Sequence, residues 1–108
     1  MSEDHSHAGQ GAVLLDIGGD VGALIVHTPG QMAGREIEIC PDGERDECEH
    51  PQHVAVLSRP AGSRHLHTAV FPALLCGRYE LWVKPDGATR LRAMVTGGRI
   101  TEVSWPDA

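Results

Sequence analysis

The 108-residue chain has few aromatic residues and no long apolar segment. One Phe, one Tyr and two Trp are present, so aliphatic side chains must form most of any core. Leu, Ile, Val and Phe together supply 24 residues, which permits one small core and no second domain. No window approaches the roughly 18 apolar residues that a membrane-spanning helix needs. The sequence therefore predicts a single small domain that does not bind or cross a membrane.

The first seven residues are polar and acidic and lack the apolar segment of a secretory signal. This predicts a cytoplasmic protein, in which the three cysteines are expected to be thiols or metal ligands. A disulfide between Cys40 and Cys48, which would close the loop, is the alternative that an oxidising compartment would favour. The net charge is −6, but residues 1–54 hold the acidic excess and residues 55–108 are net basic. We expect the two halves to lie side by side and neutralise each other. Nucleic-acid binding is not expected, because it usually requires a strongly basic domain with stacking aromatic residues.

Short alternating segments between turn residues indicate an all-β fold. Residues 35–40 alternate Ile with charged side chains, and residues 77–84 place Tyr79, Leu81 and Val83 on one face of a strand. Turn sequences such as Pro85-Asp86-Gly87 recur along the chain. We predict a single antiparallel β-sandwich of about seven to eight short strands over residues 11–106. Residues 1–10 are expected to form a disordered, His-containing tail, and residues 41–52 a charged Cys/His loop.

Residues 71–83 carry a pattern in which Leu74 is followed by Gly77 and Tyr79, and then by the alternating Leu81 and Val83. This pattern resembles a signature of transthyretin-like, or prealbumin-like, β-sandwich modules. The resemblance covers 13 of the 108 residues and implies a prealbumin-like sandwich, with Tyr79 packed at a corner. It implies no activity, because that family includes binding modules, accessory domains and pilin-type domains.

The whole chain also resembles a family of small actinobacterial proteins, some of which are labelled phospholipases. That resemblance implies a small hydrolase. Residues 46–50 only loosely follow the pattern of His-Asp phospholipases, in which paired cysteines surround a catalytic His on a helix, and Pro51 would interrupt such a helix. The chain contains no G-x-S-x-G motif either. We therefore expect a non-enzymatic protein and keep a hydrolase as an alternative.

Histidine is over-represented, with seven residues, and it clusters. The charged loop has the spacing C-x7-C-x-H-x2-H, and thiolate and imidazole are ligands that Zn²⁺ prefers. In a strand, the first and third residues of a His-Leu-His sequence lie on one face, about 7 Å apart. The sequence therefore predicts a small binding module for a transition metal, Zn²⁺ first. The alternative is that these side chains are simply solvated. The candidate ligands are His65, His67, His53, His50, Cys48 and Cys40.

A protein-interaction or assembly domain is the second interpretation. A sandwich has open edge strands, which can pair with a partner or with a second copy of the chain. Trp82 alternates onto the outward face of its predicted strand, near the basic Arg90 and Arg92. An exposed Trp82 would be an anchor for such a partner.

Overall fold

The computed structural model describes residues 15–85 and 87–106. The strands in this part of the chain are β1 (Val21–His27), β2 (Glu36–Pro41), β3 (Gln52–Ala55), β4 (Leu57–Ala61), β5 (Arg64–Leu75), β6 (Gly77–Val83), β7 (Leu91–Val95) and β8 (Ile100–Ser104). Two 3₁₀ helices, Gly30–Met32 and Arg45–Glu47, lie in the connections. The predicted all-β sandwich is confirmed, while the tail predicted at residues 1–10 lies outside the described residues. No helix in the described residues is long and apolar enough to span a membrane.

The strands form two four-stranded sheets. The first sheet has the order β4-β5-β1-β8 and the second has the order β3-β2-β6-β7. Neighbouring strands pair antiparallel, except that β1 and β8 run parallel to each other. As a result β1 and β8 end at the same end of the first sheet.

The chain passes from the second sheet to the first at Val56. This residue separates β3 from β4. Residues 53–59, which contain no Gly or Pro, therefore belong to two strands in two different sheets. Its side chain is completely buried. Its amide donates to the carbonyl of Arg35 at 2.8 Å, and its own carbonyl accepts from the amide of Gly34 at 2.8 Å. Hydrogen bonding of this kind lets an irregular residue lie inside the core at little cost.

The core lies between the two sheets and is mostly aliphatic, as the composition predicts. Tyr79, Leu81 and Val83 face it as expected: Leu81 is fully buried, and the other two are half-buried against the core. The buried residues of this cluster are Leu24, Val26, Met32, Ile37, Ile39, Val56, Ala69, Phe71, Leu74, Leu81, Ala93, Val95 and Trp105.

The predicted exposure of Trp82 is wrong. Trp82 does lie on the outer face of the second sheet, but it is only 2% exposed. Arg45, from the loop that joins β2 to β3, stacks over the indole ring at 3.9 Å from its centroid. The indole N–H donates to Glu38 Oε1 at 2.6 Å. The loop supplies a second small layer over this face, so Trp82 is unable to serve as an exposed anchor for a partner.

Candidate functional site

Cys40 and Cys48, two of the predicted zinc ligands, form a disulfide that closes the loop between β2 and β3. Sulfur atoms bonded to each other do not offer the thiolates that Zn²⁺ binds. The expectation that these two residues are thiols is therefore not met. Cys76 is the free cysteine of the described residues, and it is exposed.

The predicted histidine ligands lie on different faces of the sandwich. His53 is on β3 beside Val54, which packs against the core, so His53 points away from the core and contacts Glu36 Oε1 at 2.8 Å. His65 and His67 lie on β5, on the same face as the core residue Ala69. The second sheet therefore lies between the side chain of His53 and the side chains of His65 and His67.

The remaining predicted ligand, His50, is exposed in the loop. Across residues 15–85 and 87–106, no three or more His, Cys, Asp or Glu side chains form a group that could hold a metal ion. Zinc binding therefore stays a prediction that the geometry of these residues does not favour.

A serine and a histidine do meet on the first sheet. The Ser58 hydroxyl and Nδ1 of His65 are 3.3 Å apart, on the neighbouring strands β4 and β5. Both residues are exposed, and neither lines the cavity of about 700 Å³ at one end of the sandwich. A hydrolase needs its nucleophile and base beside a concave site that binds the substrate. This pair does not have that setting, so it gives the hydrolase alternative no support.

A large concave site lies at one end of the sandwich, and the strand topology explains why. Since β2 is antiparallel to β6 and β6 is antiparallel to β7, β2 and β7 begin at the end where β6 finishes. The parallel pair β1 and β8 also finishes at this end. Three stretches of chain therefore converge there: the connection from β1 to β2, the connection from β6 to β7 and the segment after β8. The space between them is a cleft.

We call this space the end cleft; its volume is about 700 Å³. That value lies within the range of roughly 300–1,000 Å³ typical of small-molecule sites. Met32 and Trp105 are buried, and with the half-buried Val83 they give the cleft an apolar surface. Two exposed arginines, Arg35 and Arg90, bring positive charge to it. The lining residues are Pro29, Gln31, Met32, Arg35, Val83, Gly87, Ala88, Arg90, Trp105 and Pro106.

The main chain of both arginines is held by hydrogen bonds. The Arg35 amide donates to the Met32 carbonyl at 2.9 Å, and its carbonyl accepts from Val56 at 2.8 Å. The Arg90 amide donates to the Leu81 carbonyl at 3.0 Å. Nη2 of Arg90 also reaches the Pro106 carbonyl at 3.5 Å, across the mouth of the cleft. Each guanidinium group thus extends from an ordered point of the backbone.

The segment from Gly87 to Arg90 forms one wall of the end cleft and is held from outside by Arg45. Nη2 of Arg45 donates to the Gly87 carbonyl at 2.7 Å, and Nη1 donates to Thr89 Oγ1 at 3.2 Å. The Thr89 hydroxyl donates in turn to Glu80 at 2.8 Å. Gly87 must be glycine here, because a Cβ atom would meet the Val83 backbone, whose carbonyl accepts from the Gly87 amide at 2.8 Å.

The electrostatics of the end cleft favour an anion. Within the residues described, neither Arg35 nor Arg90 forms an ion pair with an acidic side chain. By contrast, two other basic side chains of the second sheet are paired: Arg92 with Asp42 at 2.9 Å and Lys84 with Glu36 at 3.6 Å. A ligand with a carboxylate would give the two cleft guanidinium groups the planar acceptor that their geometry matches.

Comparisons of the chain with models of protein families, with curated proteins and with solved structures find no match. The resemblances to transthyretin-like modules and to phospholipase-labelled proteins therefore stay predictions. The end cleft is not predicted by the sequence. One sequence feature points to it, because Arg35 and Arg90 each directly precede a strand. That these two strands begin at the same end of the sandwich follows only from the order of strands in the sheet.

Proposed function

We propose that the protein is a non-enzymatic binding module that holds a small carboxylate ligand with an apolar body in the end cleft. The observation that carries this proposal is the joint placement of Arg35 and Arg90 around the apolar surface made by Met32, Val83 and Trp105. The arginines would bind the carboxylate, and the apolar surface would bind the rest of the ligand.

The lining of the cleft favours a ligand that has both a carboxylate and an apolar body. An inorganic anion would leave the apolar surface in contact with water, and a neutral apolar molecule would leave the guanidinium groups without an anionic partner. Hydrogen bonds to charged groups contribute about 1.5–3 kcal/mol each, and burial of apolar surface contributes about 25 cal/mol per Å². A molecule that uses both contributions binds more tightly than one that uses either alone.

The test is a titration followed by NMR, because the chain has two Trp residues and hence two indole N–H signals. Sodium hexanoate, 4-phenylbutyrate and 1-naphthoate serve as probes. We expect these carboxylates to shift the Trp105 indole signal, since Trp105 lines the cleft, and to leave the signal of Trp82 unchanged. The alcohol 4-phenylbutanol, which lacks the carboxylate, should bind about tenfold more weakly than 4-phenylbutyrate.

Substitution of the two arginines tests the assignment of the charge. Arg35→Gln and Arg90→Gln should each weaken 4-phenylbutyrate binding by about tenfold or more and leave binding of 4-phenylbutanol unchanged. Arg64→Gln is the matched control, because Arg64 is exposed and is not part of the cleft. The proposal is wrong if none of the three carboxylates shifts the Trp105 signal at concentrations up to about 10 mM. It is also wrong if acid and alcohol bind equally well.

A further inference from the structure

The disulfide loop is connected to the end cleft through one side chain. The loop between β2 and β3 carries Arg45, and Arg45 holds both Gly87 and Thr89. Gly87 lines the cleft, and Arg90 follows Thr89 directly. The position of the loop therefore determines how firmly one wall of the cleft is held.

The two halves of this loop are fastened differently. In the first half, the Asp42 amide donates to the Arg78 carbonyl at 2.9 Å, and the Gly43 amide donates to Glu80 Oε2 at 2.8 Å. The second half contains the 3₁₀ helix Arg45–Glu47. Its described links to the rest of the fold are the Arg45 contacts and the disulfide between Cys48 and Cys40. The disulfide is therefore the covalent tether of the half that carries Arg45.

The charge of the loop opposes its closed position. Glu44, Asp46, Glu47 and Glu49 are all exposed and lie within six residues of one another. Like charges this close repel each other, although water and salt screen the effect. Once the tether is cut, this repulsion between the loop's own charges favours a more extended loop.

We propose that the Cys40–Cys48 disulfide is a redox-sensitive tether that sets the ligand affinity of the end cleft. This inference rests on the proposed function. The oxidised chain holds Arg45 over Trp82 and against the segment from Gly87 to Thr89. Reduction releases the second half of the loop, so that Gly87 and Thr89 lose their donors and the wall that carries Arg90 loosens.

The reductant is a dithiol, and the exchange is balanced. Cys48 is partly exposed and Cys40 is 1% exposed, so the first thiolate of the reductant attacks Sγ of Cys48. The bond between the two sulfur atoms breaks, and Cys40 leaves as a thiolate. The second thiol of the reductant then displaces Cys48 from the mixed disulfide. The reductant becomes a disulfide, and its two protons are transferred to Cys40 and Cys48.

The experiment compares oxidised protein with protein reduced by dithiothreitol, in a Cys76→Ser background that removes the other thiol. We expect reduction to weaken 4-phenylbutyrate binding about fivefold. We also expect faster hydrogen exchange of the Trp82 indole N–H, because the loop that covers it has moved. Equal affinity in both forms overturns the redox proposal and leaves the proposed function intact. Failure of both forms to bind overturns the proposed function, and the redox proposal with it.

Arg45→Gln keeps the test decisive if reduction unfolds the chain. This variant retains the disulfide but lacks the guanidinium group that reaches Gly87 and Thr89, so it should bind 4-phenylbutyrate about fivefold more weakly while still oxidised. Glu47→Gln, in the same 3₁₀ helix and exposed, is the matched control and should bind like the parent protein. Unchanged affinity of oxidised Arg45→Gln contradicts the coupling between the loop and the cleft.

Discussion

Trp82 and Glu80 are neighbours on the outer face of the second sheet, and each is buried because polar groups of the loop cover it. Glu80 is 6% exposed and accepts hydrogen bonds from the Gly43 amide and the Thr89 hydroxyl, each at 2.8 Å. Alternation along β6 correctly gives the face on which both residues lie. It does not give their burial, because Arg45 and the Gly43 amide come from a loop that begins some forty positions earlier and Thr89 comes from the connection after β6.

Replacement of Trp82 should cost stability although the residue lies outside the central core. Trp82→Ala removes the indole, its hydrogen bond to Glu38 and the surface on which Arg45 stacks. The expected loss is about 3 kcal/mol of unfolding free energy, measured by urea denaturation with circular dichroism. Leu75→Ala is the control, because Leu75 is 66% exposed and should contribute almost nothing. A loss below about 1 kcal/mol for Trp82→Ala would mean that the loop does not cover this residue in solution.

Tyr79 follows Gly77 at the start of β6, and its hydroxyl donates to the Leu75 carbonyl at 2.7 Å. A tyrosine bonded to the main chain a few residues upstream is a known corner device of β-sandwiches. Burial raises the pKa of the Tyr79 phenol above its usual value of 10.0, and the charge of the nearby Cys76 thiolate raises the pKa further. The folded protein therefore favours the protonated phenol.

The raised pKa predicts a loss of stability in alkaline solution. The unfolded chain releases the Tyr79 proton near pH 10, whereas the folded chain still holds it. The free energy of unfolding should therefore fall as the pH rises from about 10 to the pKa of the folded state, and this contribution is fully present below pH 10. Urea denaturation of the parent and of Tyr79→Phe, each at about pH 8 and about pH 11, measures it.

Tyr79→Phe should be less stable by about 1 kcal/mol at the lower pH, because it lacks the hydrogen bond to Leu75. The gap between the two proteins should narrow at the higher pH, where the other groups titrate equally in both. Since Tyr79 is the single tyrosine of the chain, tyrosinate absorbance reports its titration directly. A gap that is constant with pH would rule out the raised pKa.

At the scale of elements, the passage from β3 to β4 shows how one residue joins the two layers. Val56 is buried on all sides, whereas the adjacent Leu57 is 49% exposed. The sequence of residues 53–59 contains no Gly or Pro break before Pro60, so this uninterrupted run predicts one strand there. The change of sheet becomes visible only when the hydrogen bonds between Val56 and the segment Gly34–Arg35 are seen.

Shortening the side chain at this passage should destabilise the fold. Val56→Ala leaves a cavity between the layers and should lower the free energy of unfolding by about 2 kcal/mol. Leu57→Ala, one residue further along, removes a larger side chain from an exposed position and should change stability by less than about 0.5 kcal/mol. Thermal denaturation of both variants makes the comparison. Equal losses for the two would contradict the placement of Val56 inside the core.

At the scale of the whole molecule, the acidic and basic halves of the chain meet in the second sheet. β2, from the acidic half, pairs with β6, from the basic half. Two contacts, Arg92 to Asp42 and Lys84 to Glu36, join the halves directly, as the charge distribution predicts. Arg35 and Arg90 are different, because they lie where strands begin and extend into the end cleft. The positive charge of these two side chains therefore remains available to a ligand in the end cleft.

The sequence by itself determines that this chain is a small all-β domain, because alternation and turn residues are local properties. It also determines the inward face of β6, on which Tyr79, Leu81 and Val83 lie. Only the tertiary structure decides that Cys40 and Cys48 are bonded, that His53 is remote from His65 and His67, and that Trp82 is covered. The end cleft belongs to this second group. Its residues come from three separated segments, and the order of strands that brings those segments together depends on contacts between residues distant in the chain.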